Sequence, residues 1–334
     1  MSVDRVFAVV VISSLPFLLA FRAPSAGGTG LLLVANKGEH TLGIVDPEAG
    51  RQVAIIPESG VTGHEVVASP DGRRAFVPIY GNSGVGMPGS NGSTIDVINL
   101  STRKVEHVIK FEHGVRPHCP MFGPEDGLLY VTTELDQSVS IIDPGTLKIV
   151  GKVPTGQPES HMLAISHDGR RGYTANVGPG TVSVLDLKAR KTVTVIPVAI
   201  HVQRISISPD DRWVFTSDTT KPRLAVINAS TDKVERWLEL PGTGYGSAST
   251  PDGKWLLIAL PDVNEVAVID LRALRVVKTI SVPPSPQEVL MRPDGKVAYV
   301  SCDRSHKVAA IQIGDWNTTL IGAGKGVDGL AWAK

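Results

Sequence analysis

Short apolar runs of four to seven residues, rich in β-branched side chains, follow one another along nearly the whole chain and are bounded by Gly, Pro, Asp or Asn. After Pro251-Asp252-Gly253 come Trp255 to Leu260, Val266 to Asp270, Val276 to Val282 and Glu288 to Met291, and then the next Pro-Asp-Gly. None of these runs has the length or the 3.6-residue period of an amphipathic helix, so the pattern predicts four strands per unit. The Asp-Gly pairs predict the tight turn between the first two strands, because Gly tolerates positive φ and Asp bonds its own backbone. Asp46, Asp143, Asp186 and Asp270 close the third strand of their units by the same turn chemistry.

The unit repeats at a fixed stride. Asp126, Asp168, Asp210, Asp252 and Asp294 stand 42 residues apart, and the one longer step, 55 residues from Asp71 to Asp126, holds an insertion. A period of this length built only from short strands is the mark of a β-propeller blade. Inner strands are expected to begin at His64, His118, His161, Gln203, Tyr245, Gln287 and Asp328. The fold class is therefore all-β, a seven-bladed propeller of four-stranded blades. Its last inner strand, ending the chain at Lys334, is completed by Leu31 to Asn36, Thr41 to Asp46 and Arg51 to Pro57 from the other terminus. Closing one blade with both ends removes exposed sheet edges.

Tyr130-Val131-Thr132-Thr133, Tyr173-Thr174-Ala175-Asn176 and Tyr299-Val300-Ser301-Cys302, followed by runs such as Thr181 to Asp186 and endings such as Ile196-Pro197-Val198, resemble the YVTN β-propeller repeat family. The resemblance spans essentially the whole mature chain and implies seven blades. Propellers similar to this family include lactonase-like enzymes and subunits of periplasmic quinoprotein amine dehydrogenases. The sequence has no Trp-Asp pair of the WD-repeat propellers, and Gly-His occurs once, at Gly63-His64, rather than in every repeat.

Residues 1–26 read as a secretory signal: Arg5, the apolar run Phe7 to Phe21, then the small residues of Ala23-Pro24-Ser25-Ala26-Gly27-Gly28. Residues 27–334 form the propeller in this reading, periplasmic or secreted, with no stable membrane span after cleavage, since about fifteen apolar residues fall short of the roughly twenty a span needs. Thirty-three basic residues balance 33 acidic ones, which leaves no electrostatic case for nucleic acid as a partner. Cys119 and Cys302 fall in blades too far apart for a bridge and are expected to be buried and inert.

The histidines carry the sharpest chemistry. His64, His118 and His161 occupy the same position in three consecutive blades, six residues before Pro70, Pro124 and His167. Strand direction brings His40, His306, His113 and His201 to the same face, so seven of nine histidines gather there. Three imidazoles on adjacent inner strands could meet at one transition metal ion, copper, zinc or iron, with a position left open. Glu65, Glu134, Glu159 and Tyr245 are the candidate catalytic groups, and Gln203, His201, Gln287, Asp328, Arg116 and Tyr80 the other residues expected at the channel mouth. The same residues could instead form a metal-free pocket for a polar small molecule, or simply a watery mouth.

The insertion from Tyr80 to Ser93 is about ten residues longer than the matching loop and emerges beside His64. It reads either as a flexible lid, with Tyr80 and Met87 as contacts, or as a tolerated surface loop. Arg204, Arg223 and Lys221 are possible anion contacts on this face. Two functions of different class follow: a propeller binding a ligand, metal or protein partner on the histidine face, or a metal-dependent oxidoreductase, lyase or lactonase-like hydrolase using the three histidines.

Overall fold

A computed structural model describes Met1 and residues 30–334; the expected signal thus lies, Met1 apart, outside the described residues. The chain is an all-β propeller. Five four-stranded antiparallel sheets follow in chain order: the first blade (Val67–Lys110), the second (Pro117–Pro154), the third (Ser160–Pro197), the fourth (Val202–Glu239) and the fifth (Ser247–Ser281). The sixth blade (Pro286–Gly322) and the closing blade share one eight-stranded sheet, joined by a single parallel pairing of Gly322 with Arg51.

In the closing blade, Leu31–Asn36 pairs antiparallel with Val327–Ala333 on one side and with Thr41–Asp46 on the other, so both ends of the described chain share one sheet. The innermost strands touch in sequence around the hub and the cycle closes between Val327–Ala333 and Val67–Ala68. Burial follows position in the blade. Second strands such as Arg171–Asn176 are buried on both faces because blades stack on either side of them, whereas outer strands such as Lys191–Pro197 alternate with solvent. That is why a second strand such as Trp255–Leu260 reads as a continuous apolar run, and why the polar side chains of others, such as Thr174 and Asn176, are buried. Tyr173 and Phe215 fill the spaces between blades, and Tyr299 stacks on Trp332 at 5.8 Å to seal the sixth blade against the closing one.

The Pro-Asp-Gly turns form as the composition predicts. Gly72 and Gly253 have φ of +68° and +68°, and in these two turns a Ser or Thr two residues before the Asp donates to its carboxylate, Ser69 to Asp71 at 2.6 Å and Thr250 to Asp252 at 2.5 Å. Two inner strands depart from expectation: the ladders in the first and fifth blades begin only at Val67 and Ser247, later than His64 and Tyr245. Among the described residues no helix is long and apolar enough to cross a membrane. Cys119 and Cys302 are buried and unpaired, and burial pushes both thiols up, Cys302 to about 12.

Candidate functional site

Irregular backbone aims side chains at the hub. In the second, third, fourth and sixth blades the inner strand slips register against its neighbour between Pro117 and Pro120, Ser160 and Met162, Val202 and Ile205, and Pro286 and Val289. His118, His161, Gln203, Arg204, Gln287 and Glu288 sit within those slips. A bulge frees a residue from strict two-fold alternation and redirects it. Thr132 holds two blades in this arrangement: its Oγ1 accepts from the Cys119 N–H at 2.9 Å and donates to the His161 carbonyl at 2.7 Å.

The three in-phase histidines meet. The rings of His118 and His161 lie 3.6 Å apart between centroids and 33° from parallel, and His64 meets His118 edge-on at 5.4 Å. Tyr80 packs against all three, at 5.1 Å from His64, 5.3 Å from His118 and 5.9 Å from His161. His118 and His161 are only 2% and 3% exposed, and Nδ1 of each has no hydrogen-bond partner. Burial lowers all three imidazoles, that of His64 to about 4, with Asp328 pulling the other way. The cluster is therefore neutral at ordinary pH.

Beside the rings stands a buried ion pair. Arg116 Nη1 lies 3.2 Å from Glu134 Oε1, and Glu134 Oε2 accepts from the Tyr80 hydroxyl and lies 3.9 Å from His161 Nδ1, too far for a hydrogen bond. The same pair pins the insertion. Arg116 donates to the Met87 carbonyl at 2.8 Å and to Asn91 Oδ1 at 2.8 Å, and Glu134 Oε1 accepts from the Gly86 N–H at 3.3 Å. Tyr80 is fully buried and Met87 is 61% exposed, so the loop is anchored at its root, where Tyr80 forms a wall of the histidine cluster.

Arg204, Glu65, Asp328 and Lys37 form an ionic layer across the hub. Arg204 reaches Glu65 Oε1 at 2.6 Å and Asp328 Oδ1 at 3.0 Å, and Lys37 Nζ reaches Asp328 Oδ2 at 3.0 Å. Burial works against Asp328, yet Lys37 and Arg204 together hold its carboxyl below the usual range. Tyr245 lies under the guanidinium, 5.1 Å from its carbon. Glu288 joins from the sixth blade, its Oε2 accepting the Leu330 N–H at 2.7 Å, close enough to Glu65 for the two carboxyls to share a hydrogen bond. Burial raises both, Glu288 to about 7, against the pull of Arg204.

The remaining candidates lie outside this core. Gln287 bonds Ser285 Oγ at 3.0 Å, Gln203 is half-buried, and Glu159 accepts the Gly178 N–H at 2.7 Å at the rim. His201 is exposed, 3.3 Å from the Val177 carbonyl, and His113 pairs with Asp136 at 2.7 Å, away from the three rings. Arg223 is engaged by Asp218 at 2.9 Å. Lys37 and Glu288 were not among the sequence candidates. Glu288 carries a signal: like Glu65 after His64 and Arg204 after Gln203, it is a charge directly after a hub position in an otherwise apolar strand.

Among the described residues no group of three or more His, Cys, Asp or Glu side chains is disposed to hold a metal ion. The model of the Cytochrome D1 heme domain family matches residues 122–249. Part of this chain is similar to heme d1 propellers. Dihydro-heme d1 dehydrogenase of Pseudomonas aeruginosa is 34% identical over 122 residues, which is 36% of this chain and 23% of that protein; the chain thus spans about a quarter of the curated relative it matches. In fold, hydrazine synthase of Kuenenia stuttgartiensis superposes with a TM-score of 0.71 at 20% identity, covering 85% of this chain and 92% of that one. The dihydro-heme d1 dehydrogenase NirN in complex with DHE superposes with a TM-score of 0.63 at 15% identity, over 90% and 74% of the two chains. The family match takes in His161, Glu134 and Arg204 and stops short of His64 and His118.

Proposed function

We propose that this protein is an extracytoplasmic, YVTN-type repeat propeller that binds an iron tetrapyrrole at its histidine mouth. The observation that carries the reading is the half-buried His64 imidazole, held neutral by burial and backed by the rings of Tyr80 and His118. Beneath it the Nδ1 atoms of His118 and His161 have no hydrogen-bond partner, and a buried polar nitrogen without one is costly. The partial similarity to heme d1 proteins supports the ligand class.

The donor set fits such a group. His64 is half-buried and is the ring of the three nearest solvent, so it is the residue that would hold the iron. A neutral imidazole with a pKa of about 4 keeps its lone pair free for a metal at any physiological pH. Tyr80 and the Arg116–Glu134 pair fix the rings behind it, and exposed Met87 and Val61 at the rim offer apolar contact to a flat macrocycle. The bound group would supply a redox-active iron. The chain's own part is to orient one imidazole, keep it unprotonated and exclude water from the two rings beneath.

A second reading, in which His64, His118 and His161 reorient to share one copper, zinc or iron ion directly and support an enzyme, rests on the partnerless Nδ1 atoms of His118 and His161. Two measurements test the pair. Titration of the protein with hemin is expected to give a saturable Soret shift that His64→Ala abolishes. If hemin produces no shift and the purified protein instead carries a stoichiometric metal that a His64, His118 and His161 triple Ala variant loses, the tetrapyrrole reading falls and the direct metal site stands. Neither signal leaves a propeller with a ligand or protein partner of another class.

A further inference from the structure

Below the ionic layer the inner strands line a cavity of about 560 Å³ that opens towards Pro70 and Pro293, on the face opposite the histidines. Its walls are apolar, supplied by residues such as Val67, Met121, Met162, Ile205, Leu290 and Met291. Its polar residues include Glu65 and Glu288, which belong to the layer that roofs it. Glu65 is 4% exposed, and its Oε1, though 2.6 Å from Arg204 Nη1, lies outside hydrogen-bond geometry and has no hydrogen-bond partner. Ser249 Oγ, on the same wall, is also buried without one.

Charge counting says what such a cavity would hold. Three carboxyls, Glu65, Glu288 and Asp328, face two cations, Arg204 and Lys37. Of the other titratable groups around them, His64, His118, His161, Tyr245 and Cys119 are neutral, and Asp303 adds a further carboxyl towards Lys37. With every carboxyl ionised, the layer has one negative charge too many, set in the roof of an apolar chamber. We infer that the propeller has a second ligand site at this end of its channel, for an apolar molecule ending in a single ammonium head that pairs with Glu65 and Glu288. An anion would meet two carboxylates there, and a neutral apolar molecule would leave the excess charge uncompensated. The volume lies within the range of small-molecule pockets.

Isothermal titration of the mature protein with 1-aminohexane and 1-hexanol at pH 8 tests this. The amine is expected to bind at one equivalent at least tenfold more tightly than the alcohol. Glu288→Gln, which keeps side-chain volume, is expected to erase that preference, and Leu290→Trp, which fills the chamber, to abolish binding of both, with the fold of each variant checked by circular dichroism. Absence of saturable amine binding, equal affinity for the two probes, or amine binding unchanged by Leu290→Trp would overturn the proposal. The hemin titration is independent of all three outcomes.

Discussion

Arg204 Nη2 lies 3.0 Å from Asp328 Oδ1, tying the inner strand of the fourth blade to the last strand of the chain across the hub. The same guanidinium reaches Glu65 of the first blade, so one side chain joins three blades distant in sequence. All three residues are buried. Removing one member of a buried ionic group strands the others, at a typical cost of about 3–5 kcal/mol. Arg204→Ala and Arg204→Met are expected to lose a comparable amount, because charge and not volume is decisive, while Arg204→Lys loses less by keeping one pair. Urea unfolding measures this. A loss under about 1 kcal/mol for both neutral variants would show that the layer does not stabilise the ring.

Tyr80 and Arg116 share Glu134 but hold different things. Tyr80→Phe removes one hydrogen bond to a carboxylate that keeps its Arg partner, an expected cost of about 1–2 kcal/mol. Arg116→Ala also releases Asn91 and the Met87 carbonyl, and leaves Glu134 buried without its cation. Limited proteolysis followed by mass spectrometry should therefore show faster cleavage within residues 81–93 for Arg116→Ala than for Tyr80→Phe, and least for the parent. Equal rates in all three would mean that the insertion is held by something else.

The histidine mouth and the carboxyl roof have opposite pH signatures. His64 is lowered from 6.5 to about 4, so as pH falls below about 6.5 the unfolded chain takes up protons first; its contribution is complete above that pH and is lost towards 4. Glu288 is raised from 4.5 to about 7, so its contribution is complete below 4.5 and is lost as pH rises through 7. At about 1.4 kcal/mol per pH unit, each is worth on the order of 2 kcal/mol after screening. Between pH 4.5 and 6.5 the two oppose each other and flatten the parent's profile. The melting temperature of His64→Gln should gain on the parent as pH falls from 7 to 4.5, and that of Glu288→Gln should gain as pH rises from 4.5 to 7.5. Parallel curves would show that neither group is perturbed by folding.

The 42-residue stride was enough to read the blades, their turns and the closing of the ring by both termini, because each rests on local turn chemistry and two-fold alternation. The meeting of His64, His118 and His161 was also legible, since equal position in adjacent blades means equal height at the hub. The ionic layer was not. It depends on register slips in the backbone, which redirect Arg204 and Glu288, and no residue type announces a slip. Departures from the repeat were informative where they paired. His167 stands where other blades have Pro and Asp211 where they have Gly, and the two meet at 2.7 Å between neighbouring blades, the backbone N–H of His167 also reaching that carboxylate. Read singly, each was only an irregular turn.

The seam between the chain ends is the last test. Val327–Ala333 supplies the inner strand on which Leu31–Asn36 pairs, and it also carries Asp328, the partner of both Arg204 and Lys37. A chain stopped after Gly326 would leave Leu31–Asn36 with an open edge and Arg204 and Lys37 without their shared carboxylate. Open edges recruit other strands, so this variant is expected to form higher oligomers that grow with concentration, measured by size exclusion with light scattering. Asp328→Asn keeps the strand and removes only the charge; it should remain the size of the parent and lose stability by about 3 kcal/mol or more, as for a broken buried pair. If the truncated chain also stays the size of the parent and melts at the same temperature, the termini do not close the ring in solution, and the pairing of Leu31–Asn36 with the last strand is not what holds the propeller shut.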